Sequence, residues 1–313
     1  MLIHGKWADN WHPVQATDEK GGFVRQTSSF RHWITPDGSA GITGHAGFKA
    51  EADRYHLYVA LICPWASRTL MARKLKGLES IISLSIVEPW LLEQGWHFGH
   101  YLDSTIDHLH GVEWAHQLYT KADPDFTGRA TVPILWDKKN QTIVNNESAD
   151  ILRMFNSAFG SLAQSTLDLY PKKHQEYIDE LNIKMYDTLN NGVYRAGFAT
   201  TQESYTEAVC AVFKTLHDLE HLLSDQRDFL CGQDMTEADI RLFVTLIRFD
   251  VAYHGLFKCN LYQLKDFTLL NQYIKRMLNY PGVKDTVNIN HIKQGYYSIR
   301  ALNPTGLVPI GPM

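Results

Sequence analysis

A lone cysteine followed by proline, Cys63-Pro64-Trp65-Ala66, ends a β-rich apolar run and opens a segment with helical spacing. A thiol at a helix start sees unpaired backbone N–H groups and the positive end of the helix dipole, both of which favour the thiolate. That placement lowers a thiol pKa from about 8.5 into the range of about 3.5 to 7.5, so the side chain becomes a nucleophile at neutral pH. The residue three positions on is Ala66, not a second cysteine. A mixed disulfide on Cys63 must then be resolved by an external thiol. Cys210, Cys231 and Cys259 are too widely spaced for a disulfide framework or a metal knuckle, and they lack the strand-to-helix context of Cys63. Packing is the expectation for each of the three.

Two further groups accompany the thiol. Val132-Pro133 at the start of a strand fits the turn that offers a backbone edge to a peptide-like ligand. Glu147-Ser148 at a helix start combines a carboxylate, a hydroxyl and backbone N–H groups, a set suited to an α-amino and carboxylate pair such as a γ-glutamyl head. Rival chemistries find less support. The stretch 90–130 carries His97, His100, His108, His110 and His116 with several acids, but no H-E-x-x-H occurs and these histidines are expected on a solvated amphipathic surface. Neither G-x-G-x-x-G nor a P-loop motif is present, so no nucleotide cofactor is expected.

The elements that must position these groups follow from periodicity. Arg54–Ile62 reads as a strand, 64–76 as a helix stopped by Gly77, and Ile81–Val87 as a second strand. Thr131–Asp137 and Gln141–Asn145 read as a hairpin, and a helix starts at Ser148. From about 165 onward the pattern is helical, over 176–189, 204–224, 236–252 and 267–278, with Thr236-Glu237-Ala238-Asp239 as a capping box. The expected architecture is α/β plus all-α. It comprises an extended arm over 1–50, a small α/β domain over 51–160 that resembles a thioredoxin-like domain and carries an insert at about 90–130, and an all-helical domain over 165–313. The arm holds Trp7, Trp11, Phe23, Phe30, Trp33 and Phe48, too many apolar rings for a free tail, so it is expected to wrap a folded body or a second subunit.

Composition bounds the partner. The 313 residues include 30 Lys and Arg against 34 Asp and Glu, a net charge of -4 that gives no electrostatic footprint for nucleic acid or anionic lipid. No apolar run reaches membrane length and the first residues do not read as a signal peptide, so a cytoplasmic protein is expected.

Taken together, Cys63-Pro64-Trp65-Ala66-Ser67-Arg68, Asn146-Glu147-Ser148, Asn191-Gly192-Val193-Tyr194 and Asn303-Pro304-Thr305-Gly306 resemble the glutathionyl-hydroquinone reductases, the Xi class of glutathione transferases. The resemblance spans nearly the whole chain. It implies reduction of S-glutathionyl-hydroquinones through a Cys63–glutathione mixed disulfide, with glutathione as co-substrate and no metal. It assigns glutathione binding to Trp96, Arg129, Thr131, Val132, Pro133, Glu147 and Ser148, and proton donation to Tyr194. Tyr253 and Tyr296 are implied as pocket walls that support the thiolate, with Tyr297 adjoining Tyr296. A homodimer is implied too. An Omega-like thiol transferase or dehydroascorbate reductase, and a non-catalytic binding module of the same fold, are the alternatives.

Overall fold

The computed structural model describes residues 1–8 and 16–312, so Trp11 and Pro13 of the expected arm lie outside the described residues. The amino-terminal segment forms two short hairpins, β1 (Leu2–Ile3) with β2 (Lys6–Trp7) and β3 (Ala16–Thr17) with β4 (Phe23–Val24). The chain divides into two compact units. One comprises Met1–His12, Thr27–Leu167 and Asp285–Gly295, the other Pro13–Gln26, Asp168–Lys284 and Tyr296–Met313.

The first unit is built on β5 (Tyr55–Val59), α1 (Pro64–Leu75), β6 (Ile82–Ile86), β7 (Leu91–Leu92), β8 (Gly95–Trp96), α2 (His116–Ala122), β9 (Ile134–Asp137), β10 (Thr142–Asn145) and α3 (Ser148–Ser157). Four strands form one sheet in the order β10-β9-β5-β6, with β5 parallel to β6 and antiparallel to β9. All five residues of β5 are buried, as expected for a central strand covered on both faces. The β-α-β then β-β-α order is thioredoxin-like, as the sequence pattern predicts. Ala60–Ile62, expected to extend β5, instead turn the chain, and the Cys63 amide donates to the Ala60 carbonyl at 3.0 Å. The hairpin strand begins at Ile134 rather than Thr131, because Pro133 has no N–H for a ladder; the Val132–Pro133 bond is cis. Gly77 ends α1 at φ +62, where an added Cβ would lie 2.7 Å from that of Gln164.

The insert is mostly loop. His97 immediately follows β8, rather than facing His100 across a helical turn, and His116 is buried against the Trp7 ring at a centroid distance of 4.7 Å. The expectation of a solvated histidine face is therefore corrected. His97 and His110 are half-buried as well, and of the five only His100 and His108 are exposed. The arm aromatics of this unit pack inward: Phe30 meets Tyr119 and Phe126, and Phe48 is buried.

The second unit contains α4 (Gln175–Met185), α5 (Gly192–Gly197), α6 (Gln202–Leu222), α7 (Glu237–Arg248) and α8 (Thr268–Asn279), together with the end of α9 (Ile289–Tyr297). The predicted capping box is present, with the Thr236 amide donating to the Asp239 carboxylate at 2.8 Å. Two helices expected to continue unbroken widen into π turns, Tyr186–Asn190 after α4 and Phe249–Tyr253 after α7. The first turn lets the buried Asn190 amide donate to the Arg241 carbonyl and Thr245 Oγ1, at 2.9 and 2.8 Å. Gly197 ends α5 against Phe257, whose ring a Cβ would meet at 2.3 Å.

Candidate functional site

Cys63 occupies the N-cap of α1 with extended backbone angles, and Pro64 takes the first helical position where its missing N–H costs nothing. The thiol is half-buried and donates toward the Val132 carbonyl at 3.6 Å. Among the sequence-derived residues, this is the contact that joins the cysteine to the Val132-Pro133 turn. The Cys63 carbonyl accepts from the Ser67 amide and hydroxyl at 2.9 and 3.0 Å, which fixes the first helical turn beneath the sulfur.

A second cluster lies at the start of α3. Glu147 is its N-cap: Oε1 accepts from the Ala149 amide at 3.2 Å and Oε2 from the Ser28 hydroxyl at 2.9 Å. Ser148 Oγ is buried, and no described residue hydrogen-bonds it. A buried hydroxyl at a helix N-terminus, beside a carboxylate, has the chemistry to receive a ligand carboxylate and ammonium. One residue that sequence reasoning missed ties the two loops together. The buried Tyr119 hydroxyl on α2 donates to the Thr131 carbonyl at 2.8 Å and accepts from the Asn146 side-chain amide at 3.0 Å. No local signal marks it, since the loops it bridges are 15 residues apart in the chain and meet only in the sheet. Trp96 is half-buried in the β7–β8 hairpin, its carbonyl accepting from the Ala115 amide at 2.9 Å. Arg129 stands in the loop entering β9. Burial, and then the Arg129 charge, hold the Met1 amine down to about 6.

In the second unit three tyrosines converge. Tyr296 Oη lies 2.5 Å from Tyr194 Oη and 2.8 Å from Tyr253 Oη, so the hydroxyls form a chain running Tyr253, Tyr296, Tyr194. Tyr253 and Tyr296 are buried, whereas Tyr194 is half-buried and forms the more exposed end. Burial, reinforced by the neighbouring Tyr194, pushes the hydroxyls of Tyr253 and Tyr296 well above the ordinary phenol value, so both stay protonated at neutral pH. Phe198 and Phe257 complete an aromatic wall, each with its ring within 6.3 Å of that of Tyr194. Tyr296, rather than the adjacent Tyr297, enters this cluster, because one helical step turns a side chain by about a quarter of the helix circumference.

The other cysteines divide. Cys231 and Cys259 are buried, and burial pushes the Cys259 thiol up to about 12. Cys210 is exposed on α6, so the expectation that it packs is corrected. Among the described residues, no group of three or more His, Cys, Asp or Glu side chains is arranged to hold a metal ion. Nor is any described helix long and apolar enough to cross a membrane.

This combination of a thioredoxin-like unit with a helix-capping thiol and a helical unit defines a glutathione transferase. Residues 62–158 match the family described as glutathione S-transferase, N-terminal domain, and residues 202–276 its C-terminal domain. The chain is 52% identical to the glutathionyl-hydroquinone reductase YqjG of Escherichia coli over 100% of this chain and 95% of that protein. It is 46% identical to the glutathionyl-hydroquinone reductase PcpF of Sphingobium chlorophenolicum over 100% and 96%. The glutathione-bound structure of YqjG superposes with a TM-score of 0.91, covering 100% of this chain and 96% of that one at 50% identity. A Xi-class glutathione transferase from Natrialba magadii gives 0.92 at 44% identity, covering 100% and 93%. The chain belongs to the Xi class of glutathione transferases, the family of the glutathionyl-hydroquinone reductases.

Proposed function

We propose that the protein reduces S-glutathionyl-hydroquinones to hydroquinones, using glutathione as co-substrate and Cys63 as the nucleophile. The observation that carries this reading is the thiol at the N-cap of α1, 3.6 Å from the Val132 carbonyl and without a second cysteine in its motif. The names of the relatives agree with it.

In the first step the Cys63 thiolate attacks the glutathione sulfur of the substrate. A sulfur–sulfur bond forms and the carbon–sulfur bond breaks, its electron pair remaining on the aromatic ring. The ring, carbanion-like or phenolate in character, takes a proton from Tyr194 and leaves as the hydroquinone. In the second step a glutathione thiolate attacks the glutathione sulfur of the mixed disulfide, releasing oxidised glutathione and restoring the Cys63 thiolate. One thioether is reduced and one disulfide is produced, so the electrons balance.

Glutathione is held by Trp96, Arg129, Thr131, Val132, Pro133, Glu147 and Ser148. The Val132 backbone receives its peptide, and Glu147 with Ser148 receives its γ-glutamyl head. Tyr253 and Tyr296 line the aromatic pocket, support the thiolate and hold the Tyr194 hydroxyl. The protein works as a cytoplasmic homodimer; in support of the compartment, its four cysteines form no disulfide with one another.

The test is turnover of a glutathionyl-menadiol by the wild-type protein and by Cys63→Ala. Wild type should release menadiol and show a single glutathione adduct on Cys63 by mass spectrometry, and the variant should do neither. Retained turnover in the variant overturns the mechanism, and faster reduction of dehydroascorbate than of the glutathionyl quinol overturns the substrate assignment.

A further inference from the structure

We propose that Arg25, on the amino-terminal hairpin, is a positioning residue for proton transfer, holding the Tyr194 ring from one face and favouring loss of its proton. The inference rests on the donor role given to Tyr194 above. Arg25 Nε donates to Asn191 Oδ1 at 2.8 Å, and its guanidinium carbon stands 4.9 Å from the centroid of the Tyr194 ring. Asn191 is also the residue from which α5 starts, and its carbonyl accepts from the Tyr194 amide at 3.0 Å. One side chain therefore engages both the start of the helix and the ring that the helix carries.

The hairpin itself is anchored. The Gly21 carbonyl accepts from the Thr200 amide at 3.0 Å, and the Lys20 carbonyl accepts from the hydroxyls of Thr201 and Ser204 at 2.8 and 2.7 Å. Phe23, two residues before Arg25, stacks on Phe198 at 5.6 Å and on Tyr194 at 6.4 Å. A guanidinium held over a phenol ring is attracted to its electron-rich face, and the attraction grows as the ring becomes a phenolate. Its effect is therefore larger when the proton leaves than in the resting enzyme, which is the condition for lowering a barrier.

Among the described residues, charged groups on the elements adjoining Tyr194 have the following settings. Arg195, on the same helix, pairs with Glu207 of α6 at 3.0 Å. Asp187, on the preceding turn, is exposed. Asp250 accepts from the Leu264 amide at 3.0 Å. Buried Arg248 favours the ionised forms of Tyr253 and Tyr296, against the larger effect of burial.

Single-turnover release of hydroquinone, measured against pH with the full-length protein, tests the assignment in Arg25→Gln, Arg25→Lys and Tyr194→Phe. Arg25→Gln should slow release at neutral pH about threefold to tenfold and move the alkaline limb upward by about half to one pH unit, because Tyr194 becomes a weaker acid. Arg25→Lys, which keeps the charge, should return the limb most of the way. A loss of rate in Arg25→Gln with the limb unmoved, or no loss at all, overturns the role of Arg25 provided that Tyr194→Phe is strongly impaired. If Tyr194→Phe keeps the wild-type rate and profile, the donor role itself fails, and Arg25 has nothing to act through.

Discussion

Replacing Ser148 by alanine should separate binding from stability in opposite directions. Ser148 Oγ is buried at the first residue of α3, and no described residue satisfies it. The helix cap is Glu147, so the serine hydroxyl contributes nothing to capping. A buried polar group left without a partner costs about 1–3 kcal/mol, and removing it returns part of that cost against the loss of one small atom from the packing. Without glutathione, Ser148→Ala should thus be as stable as wild type or up to about 1 kcal/mol more stable. With glutathione the hydroxyl would donate to a carboxylate, a charge-assisted bond of about 1.5–3 kcal/mol, so the variant should bind roughly tenfold to a hundredfold more weakly. Urea denaturation with and without glutathione reads both quantities, because a ligand that binds only the folded state raises stability by an amount set by its concentration and affinity. A variant more than about 1 kcal/mol less stable without ligand, yet stabilised by glutathione as much as wild type, would refute the reasoning and make Ser148 a structural residue.

Two further outcomes follow from buried groups away from the thiol. His56 on β5 is 4% exposed, bonded to the hydroxyls of Ser83 and Ser85 at 2.6 and 3.0 Å, and burial holds its pKa down to about 4. Between about pH 6.5 and 4 the unfolded chain binds a proton that the folded state excludes, so stability should fall by about 3 kcal/mol as pH drops through that window. His56→Gln should flatten the dependence by about one proton in the pH series of urea midpoints, and an unchanged slope would contradict the assignment. Asp239 accepts from the Leu230 and Thr236 amides, both at 2.8 Å, and from the Tyr273 hydroxyl at 2.9 Å, all in the buried core. Asp239→Ala should cost about 3–5 kcal/mol by the same assay, and a loss under about 1 kcal/mol would show that the freed donors find other partners.

The parts legible in the sequence are those whose physics is local. A β-rich run, then cysteine, then proline specifies a strand entering a helix, since proline both opens a helix and closes off the ladder, and Cys63 lies at that junction in the structure. The Thr236–Asp239 spacing specifies a cap because the two groups sit one turn apart in any helix. By contrast, the widening of α4 and α7 into π turns left no mark in the hydrophobic period, because the adjustment serves partners on other elements, such as Arg241 and Thr245 for Asn190. Histidines in the insert carried no periodicity either, and their burial depends on rings brought from far away, as Trp7 is to His116.

By itself, then, the amino-acid sequence determined that the Cys63 thiol sits at the start of its own helix and that its motif supplies no second thiol. Only the tertiary structure decided which hydroxyls keep company. Tyr194 and Tyr296 are 102 residues apart and touch at 2.5 Å, Tyr119 spans two loops of the sheet, and Arg25 reaches Asn191 across 166 residues. A helix cap is written in consecutive residues because backbone geometry enforces it. A convergence of side chains from distant segments exists only once hydrophobic burial has brought those segments together.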